Sequence, residues 1–113
     1  MLYVLTSCVA GYITLQSSEF RAKHDEGFFG AVIDVRTQGE WDAGHLPNAT
    51  FIESLQVNQD TSRIAACTSC RIAVYCRTGQ RSKAAADVLE AAGFTDVYGG
   101  RRMRASGRQH TLT

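Results

Sequence analysis

The stretch Arg71-Ile72-Ala73-Val74-Tyr75-Cys76-Arg77-Thr78-Gly79-Gln80-Arg81-Ser82 decides the fold. An apolar, β-branched and aromatic run ends at a cysteine, and a short loop then opens into an alanine-rich segment over residues 83–92. The pattern reads as strand, loop, helix. Ala85, Val88, Leu89 and Ala92 recur at helical spacing, Gly93 stands where a helix ends, and Phe94 can fold back on Leu89.

A cysteine between the carboxyl end of a parallel strand and the amino end of a helix faces backbone N–H groups that have no intrahelical partner. Those donors, the helix dipole and the flanking Arg77 and Arg81 favour a thiolate over a thiol. Gly79 allows the backbone to curl so that the N–H groups of residues 77–81 point inward as an anion-binding nest. Cys76 is thus expected to be a nucleophile at the bottom of a cationic cup formed by Arg77, Thr78, Gly79, Gln80, Arg81 and Ser82. A cysteine that merely packed in the core would not ordinarily be bracketed by two arginines.

Cys76, Gly79, Arg81 and Ser82 fall on the active-loop pattern of the single-domain rhodanese (thiosulfate sulfurtransferase) family, which this sequence resembles. Two further motifs carry the resemblance. Asp34-Val35-Arg36 is similar to the family's Asp-Val-Arg, and Glu40-Trp41-Asp42-Ala43-Gly44-His45-Leu46-Pro47-Asn48-Ala49 to its acidic-aromatic pair followed by Gly-His-hydrophobic-Pro-x-Ala. Asn48 replaces a common glycine, and asparagine is the next most tolerant residue at a left-handed turn position. The resemblance spans residues 13–100 and includes Gly99-Gly100. It implies an α/β domain, a central parallel sheet flanked by helices in three layers. It also implies that Asp34, Arg36 and His45 organise loops and turns rather than catalyse. Related phosphatases and arsenate reductases place five residues between cysteine and arginine, whereas four lie between Cys76 and Arg81, a narrower loop that suits a sulfur atom.

With 113 residues, one domain is expected over the whole chain, which excludes a tandem sulfurtransferase. A net charge of +1 gives no global field for nucleic acid or a membrane surface. Cys8, Cys67, Cys70 and Cys76 are too few and too unevenly spaced for a disulfide scaffold, so a reducing, cytoplasmic setting is expected, with mitochondrial and periplasmic placements as alternatives. Residues 1–15 carry no charged side chain and read as a structural segment rather than a leader or a span.

Along the chain, residues 12–15 suit an opening strand, followed by a helix to about Glu26, N-capped by Ser17 or Ser18 and closed by Gly27, with Phe20 inward. His24 reads as a surface residue. Residues 31–35 form an apolar run typical of a strand buried on both faces, in which Asp34 needs a partner. Thr37-Gln38-Gly39-Glu40 is a capping box. Phe51-Ile52 suits a short strand, residues 54–66 a polar helical or looped segment, and residues 95–98 a parallel strand. Cys67-Thr68-Ser69-Cys70 could be half of a zinc site or a redox pair, but no second pair completes a zinc site and a disulfide-exchange pair normally opens a helix after a strand, whereas this one precedes a strand; it reads as plain loop cysteines, the alternative being that one of them reduces or captures a Cys76 persulfide. After Gly100 the family's tryptophan-bearing helix and proline turn are missing. Arg101, Arg102, Arg104 and Arg108 read as a divergent, solvated basic tail over residues 101–113.

These expectations combine into a sulfurtransferase that moves a sulfane sulfur from thiosulfate or a small persulfide to cyanide or a thiol through a Cys76 persulfide, with no metal and no organic cofactor. A persulfide-carrying or interaction module with an unidentified protein partner is the alternative. A phosphatase or arsenate reductase is disfavoured by loop length.

Overall fold

The computed structural model describes residues 12–100 apart from Ala65 and Thr78. In chain order it contains β1 (Tyr12–Leu15), α1 (Ser17–Asp25), β2 (Ala31–Asp34), α2 (Gln38–Ala43), β3 (Thr50–Phe51), α3 (Leu55–Asn58), β4 (Ile72–Tyr75), α4 (Gln80–Ala91) and β5 (Val97–Gly100). The strands form one parallel sheet in the order β1-β5-β4-β2-β3. The readings on residues 1–11 and on the basic tail lie outside the described residues.

Strand β4 occupies the centre, between β2 and β5, and all four of its residues are buried, as a strand covered on both faces must be. Its side chains alternate between two cores. Ile72 and Val74 join Ile33, Leu55, Ala85, Ala86, Leu89, Phe94 and Val97 on the face covered by α3 and α4. Ala73 and Tyr75 join Leu15, Phe20, Val32 and Leu46 on the face where α1 packs. Helices on both faces of a parallel sheet give the expected three-layer α/β architecture. Burial of Ile72, Leu89 and Ile33, each fully inaccessible, contributes about 2–3 kcal/mol apiece.

Helix ends follow local chemistry. Thr37 caps α2 with its hydroxyl facing the Glu40 N–H, while the Glu40 carboxylate accepts from the Thr37 N–H at 3.0 Å, completing the capping box. At the end of α4, Gly93 N–H donates to Glu90 and Phe94 N–H to Leu89, with Gly93 at φ 102°, a Schellman motif. Asn48 sits at φ 65°, as its turn position requires.

Several boundaries differ from the sequence reading. Gln16, not Ser17 or Ser18, caps α1, because Glu19 reaches back to the Gln16 N–H at 3.2 Å. Strand β2 ends at Asp34 and β3 covers Thr50–Phe51, each a residue earlier than expected. Residues 54–66 supply only the single turn of α3 before a loop. The largest shift is in β5, which begins at Val97 and takes in both glycines. Gly99 pairs with Thr14 of β1 and Val74 of β4, and the Tyr12 ring lies where a Cβ at this position would go. A glycine is weak strand material by itself, but here it makes room for an aromatic ring.

Candidate active site

Chain connections leave β2 and β4 in opposite directions, β2 leading outward to β3 and β4 back to β5. The crevice beyond the carboxyl ends of these two adjacent strands is therefore a topological switch point, where parallel sheets place ligands. Cys76 follows β4 on one side of it, and Asp34 and Arg36 close β2 on the other.

Cys76 is buried and among the described residues is the free cysteine. One side of it contacts the core beneath α4. Its Sγ also accepts two backbone hydrogen bonds, from Gly79 N–H at 3.1 Å and Ser82 N–H at 3.2 Å. Gly79, at φ 96°, is the left-handed residue that turns the chain into α4, a conformation costly for any side chain with a Cβ. The Ser82 hydroxyl donates to the Gly79 carbonyl at 3.0 Å and closes the loop on itself. Within the 77–81 span expected from sequence Gly79 is the donor to this sulfur, and Ser82, one residue beyond that span, is the other. Thr78 lies outside the described residues. An inert core cysteine would have apolar neighbours on all sides; this one has N–H groups aimed at its sulfur from the start of a twelve-residue helix.

The two arginines of the loop are not equivalent. Arg77 is exposed, while Arg81 is half-buried and holds Glu40 through both terminal nitrogens, at 3.0 and 3.2 Å. Glu40 was legible as the capping-box residue of α2, but its grip on Arg81 was not. The Arg81 hydrogen bonds, opposed by partial burial and reinforced by the Thr37 N–H and hydroxyl, hold the Glu40 carboxyl down at about 2. The same hydrogen bonds raise Arg81 above its ordinary value. Gln80 opens α4 and is exposed.

Asp34 and Arg36 form a buried pair. Asp34 accepts from the Arg36 backbone N–H and Nε at 2.9 Å and from Nη2 at 2.7 Å. Arg36 Nη2 also donates to the Gly44 carbonyl at 2.6 Å, and the guanidinium lies 5.5 Å from the centroid of Tyr75. Burial works against the Arg36 charge, but the Asp34 carboxylate more than offsets it and the net displacement is upward. Tyr75 Oη accepts from the Leu46 N–H at 3.1 Å, and burial pushes the phenol far above its ordinary value. Tyr75 and Gly44 are the joints of this support that sequence reasoning missed. His45 stacks on Trp41 at a centroid distance of 3.4 Å, with Nδ1 2.9 Å from the Trp41 carbonyl, and Trp41 in turn stacks on Phe51.

Cys67 and Cys70 require a correction. They are not plain loop cysteines: they are joined to each other in a disulfide, because a turn closed by Cys70 N–H to the Cys67 carbonyl brings their Cα atoms to 5.1 Å. Nor do they reach Cys76. The four residues of β4, about 13 Å of strand, separate the pair from the loop at its far end.

Comparison with known proteins agrees with this geometry. The Rhodanese-like domain family matches residues 17–99. The chain is 38% identical over 85 residues, 74% of its length, to the probable adenylyltransferase/sulfurtransferase MoeZ of Mycobacterium tuberculosis, but spans about a fifth (21%) of that protein. It is 36% identical over 67 residues to the thiosulfate sulfurtransferase GlpE of Pseudomonas fluorescens, covering 59% of this chain and 60% of that one. Among solved structures, the human single-domain sulfurtransferase TSTD1 superposes with a TM-score of 0.64 at 21% identity, covering 78% of this chain and 88% of the other. Matched by the family over residues 17–99 and built on a five-stranded parallel sheet with a cysteine-bearing loop at its switch point, this chain belongs to the rhodanese-like family.

Proposed function

We propose that the protein is a sulfurtransferase working through a persulfide on Cys76. The observation that carries this reading is the pair of N–H donors, Gly79 and Ser82, on the Cys76 sulfur. In the first half-reaction the Cys76 thiolate attacks the outer sulfur of an anionic donor such as thiosulfate or a small persulfide. The S–S bond of the donor breaks, and sulfite or a thiolate leaves with the bonding pair. The negative charge now rests on the terminal sulfur of Cys76–S–S⁻, where loop N–H groups and Arg77 can hold it. In the second half-reaction cyanide or a thiolate takes that sulfur, as thiocyanate or a new persulfide, and the Cys76 thiolate returns.

Electrostatics bear on the range of donors. Glu40 cancels most of the charge of Arg81, so Arg77 is the cation offered to a donor, and none of the ion pairs among the described residues involves it. One net positive charge beside a helix N-terminus suits a monoanionic persulfide as well as it suits thiosulfate. Gln80, Arg81 and Ser82 shape the cup, Asp34 and Arg36 hold its far wall, and His45 braces the turn after α2.

The test is intact mass after brief incubation with thiosulfate or glutathione persulfide, followed by cyanide. A gain of one sulfur, reversed by cyanide and missing in Cys76→Ser, is expected. No adduct from either donor in protein shown to be folded would instead favour the interaction module.

A further inference from the structure

At the pole opposite Cys76, the loop ahead of β4 presents a second arrangement of sulfur. Cys67 and Cys70 are disulfide-bonded, and they differ in exposure: Cys67 faces solvent, whereas Cys70 is half-buried and packs against the core. Cys70 is seated tightly. A Cβ on Gly30 would come within 3.2 Å of the Cys70 Cβ, and Gly30 N–H donates to the Arg71 carbonyl at 2.7 Å, so the start of β2 closes over this side chain. The turn between the cysteines is held independently of the disulfide, by Thr95 N–H donating to the Thr68 carbonyl at 3.0 Å and by the Cys70 N–H to Cys67 carbonyl bond. Opening the S–S bond therefore leaves both sulfurs near one another, the arrangement needed for closing it again.

We propose that Cys67 and Cys70 form a thiol–disulfide exchange site that reacts with external dithiols and low-molecular-weight disulfides, separately from Cys76. Asymmetric exposure sets the direction of the chemistry. An incoming thiolate attacks the Cys67 sulfur; a bond forms between them, the Cys67–Cys70 bond breaks, and Cys70 leaves as a thiolate that takes a proton from water. The second thiolate of the dithiol then attacks its own sulfur in the mixed disulfide and releases Cys67. The dithiol has lost two electrons and the pair has gained them. In reverse, the Cys67 thiolate attacks a disulfide such as oxidised glutathione and expels one glutathione thiolate. Cys70 then attacks the Cys67 sulfur, expels the second glutathione, and restores the bond.

The test uses the full chain with Cys8→Ser and Cys76→Ser, so that only this pair is read. Under native conditions, dithiothreitol followed by alkylation should add two labels by intact mass. In a parallel sample that is reduced but not alkylated, oxidised glutathione should restore a form that takes no label and is lighter by two hydrogens than the reduced protein. Adding Cys70→Ser should leave Cys67 as an accumulating glutathione adduct, whereas adding Cys67→Ser should leave Cys70 at least about tenfold slower to acquire one. The melting temperature should fall by about 5 °C on reduction while the protein stays folded. No exchange without denaturant, Cys70 reacting as fast as Cys67, or a reduced form that is unfolded at the assay temperature would each overturn the proposal, the last because the bond would then be a structural staple.

Discussion

Asp34–Arg36 and Glu40–Arg81 are both carboxylate–guanidinium pairs at the edge of the same cup, yet they sit in different surroundings. The first joins residues two apart and is sealed, with side-chain exposures of 0% and 3%. The second joins residues 41 apart and stays wet, at 23% for Glu40 and 32% for Arg81. Burying an ion pair costs several kcal/mol per charge, so a sealed pair persists only where every remaining lone pair and N–H finds a partner. Asp34 and Arg36 draw their further partners from the Arg36 backbone N–H, the Gly44 carbonyl and the ring of Tyr75. Such a pair is committed to architecture. The wet pair keeps water and ions as competitors, so a dissolved anion can compete for Arg81.

The sharpest way to break this contrast is to remove one partner from each pair. Arg36→Met leaves the Asp34 carboxylate buried without its guanidinium and the Gly44 carbonyl without its donor; a loss of about 3–5 kcal/mol is expected, read as the shift in urea midpoint. Glu40→Gln at the wet pair should cost only about 1–2 kcal/mol, since water solvates what is left. Equal losses would mean that exposure does not separate the two roles.

Function should respond in the opposite order. Glu40→Gln releases the charge of Arg81 into the cup, so the KM for the thiosulfate dianion is expected to fall by about three- to tenfold while that for a monoanionic persulfide moves less. A rise in KM for both donors would mean that Glu40 aims Arg81 rather than neutralising it. In either case steady-state kinetics with the two donors side by side sharpens what the wet pair is for.

How much of this could be read from sequence follows from how far apart the partners lie. The strand–loop–helix around Cys76, the Thr37–Glu40 capping box, the left-handed Asn48 and the Gly93 helix stop all depend on neighbours within a few residues, and local patterns encode them. The Glu40–Arg81 contact crosses 41 residues, and the capping box already gave Glu40 a sufficient local reason to be acidic. Strand β5 departs from the sequence reading for a related reason: a glycine pair argues against a strand until the Tyr12 ring that needs the space is known. The Cys67–Cys70 spacing admitted a bond, but whether the turn closed depended on how the loop folds against Thr95. The motif places Ser82 in the loop, while the aim of its backbone N–H at Cys76 depends on where α4 begins.

The smallest effect tests the wet pair through its protons. Glu40 titrates at about 2 in the folded protein against an ordinary value of 4.5, chiefly because of its hydrogen bonds to Arg81. Below the ordinary value an unfolded chain binds a proton that the folded chain refuses, so acid favours unfolding there. The stabilisation is fully present above about 4.5 and is lost as pH falls through about 2. Because solvent reaches both partners, the contribution is discounted to about 1 kcal/mol. Urea midpoints of the wild type and Glu40→Gln should therefore be separated at neutral pH and converge across that acid window. A gap that stayed constant down to the lower end would trace the cost of the substitution to the Thr37 cap or to packing, and the charge of Glu40 would no longer explain why its pair differs from the sealed one.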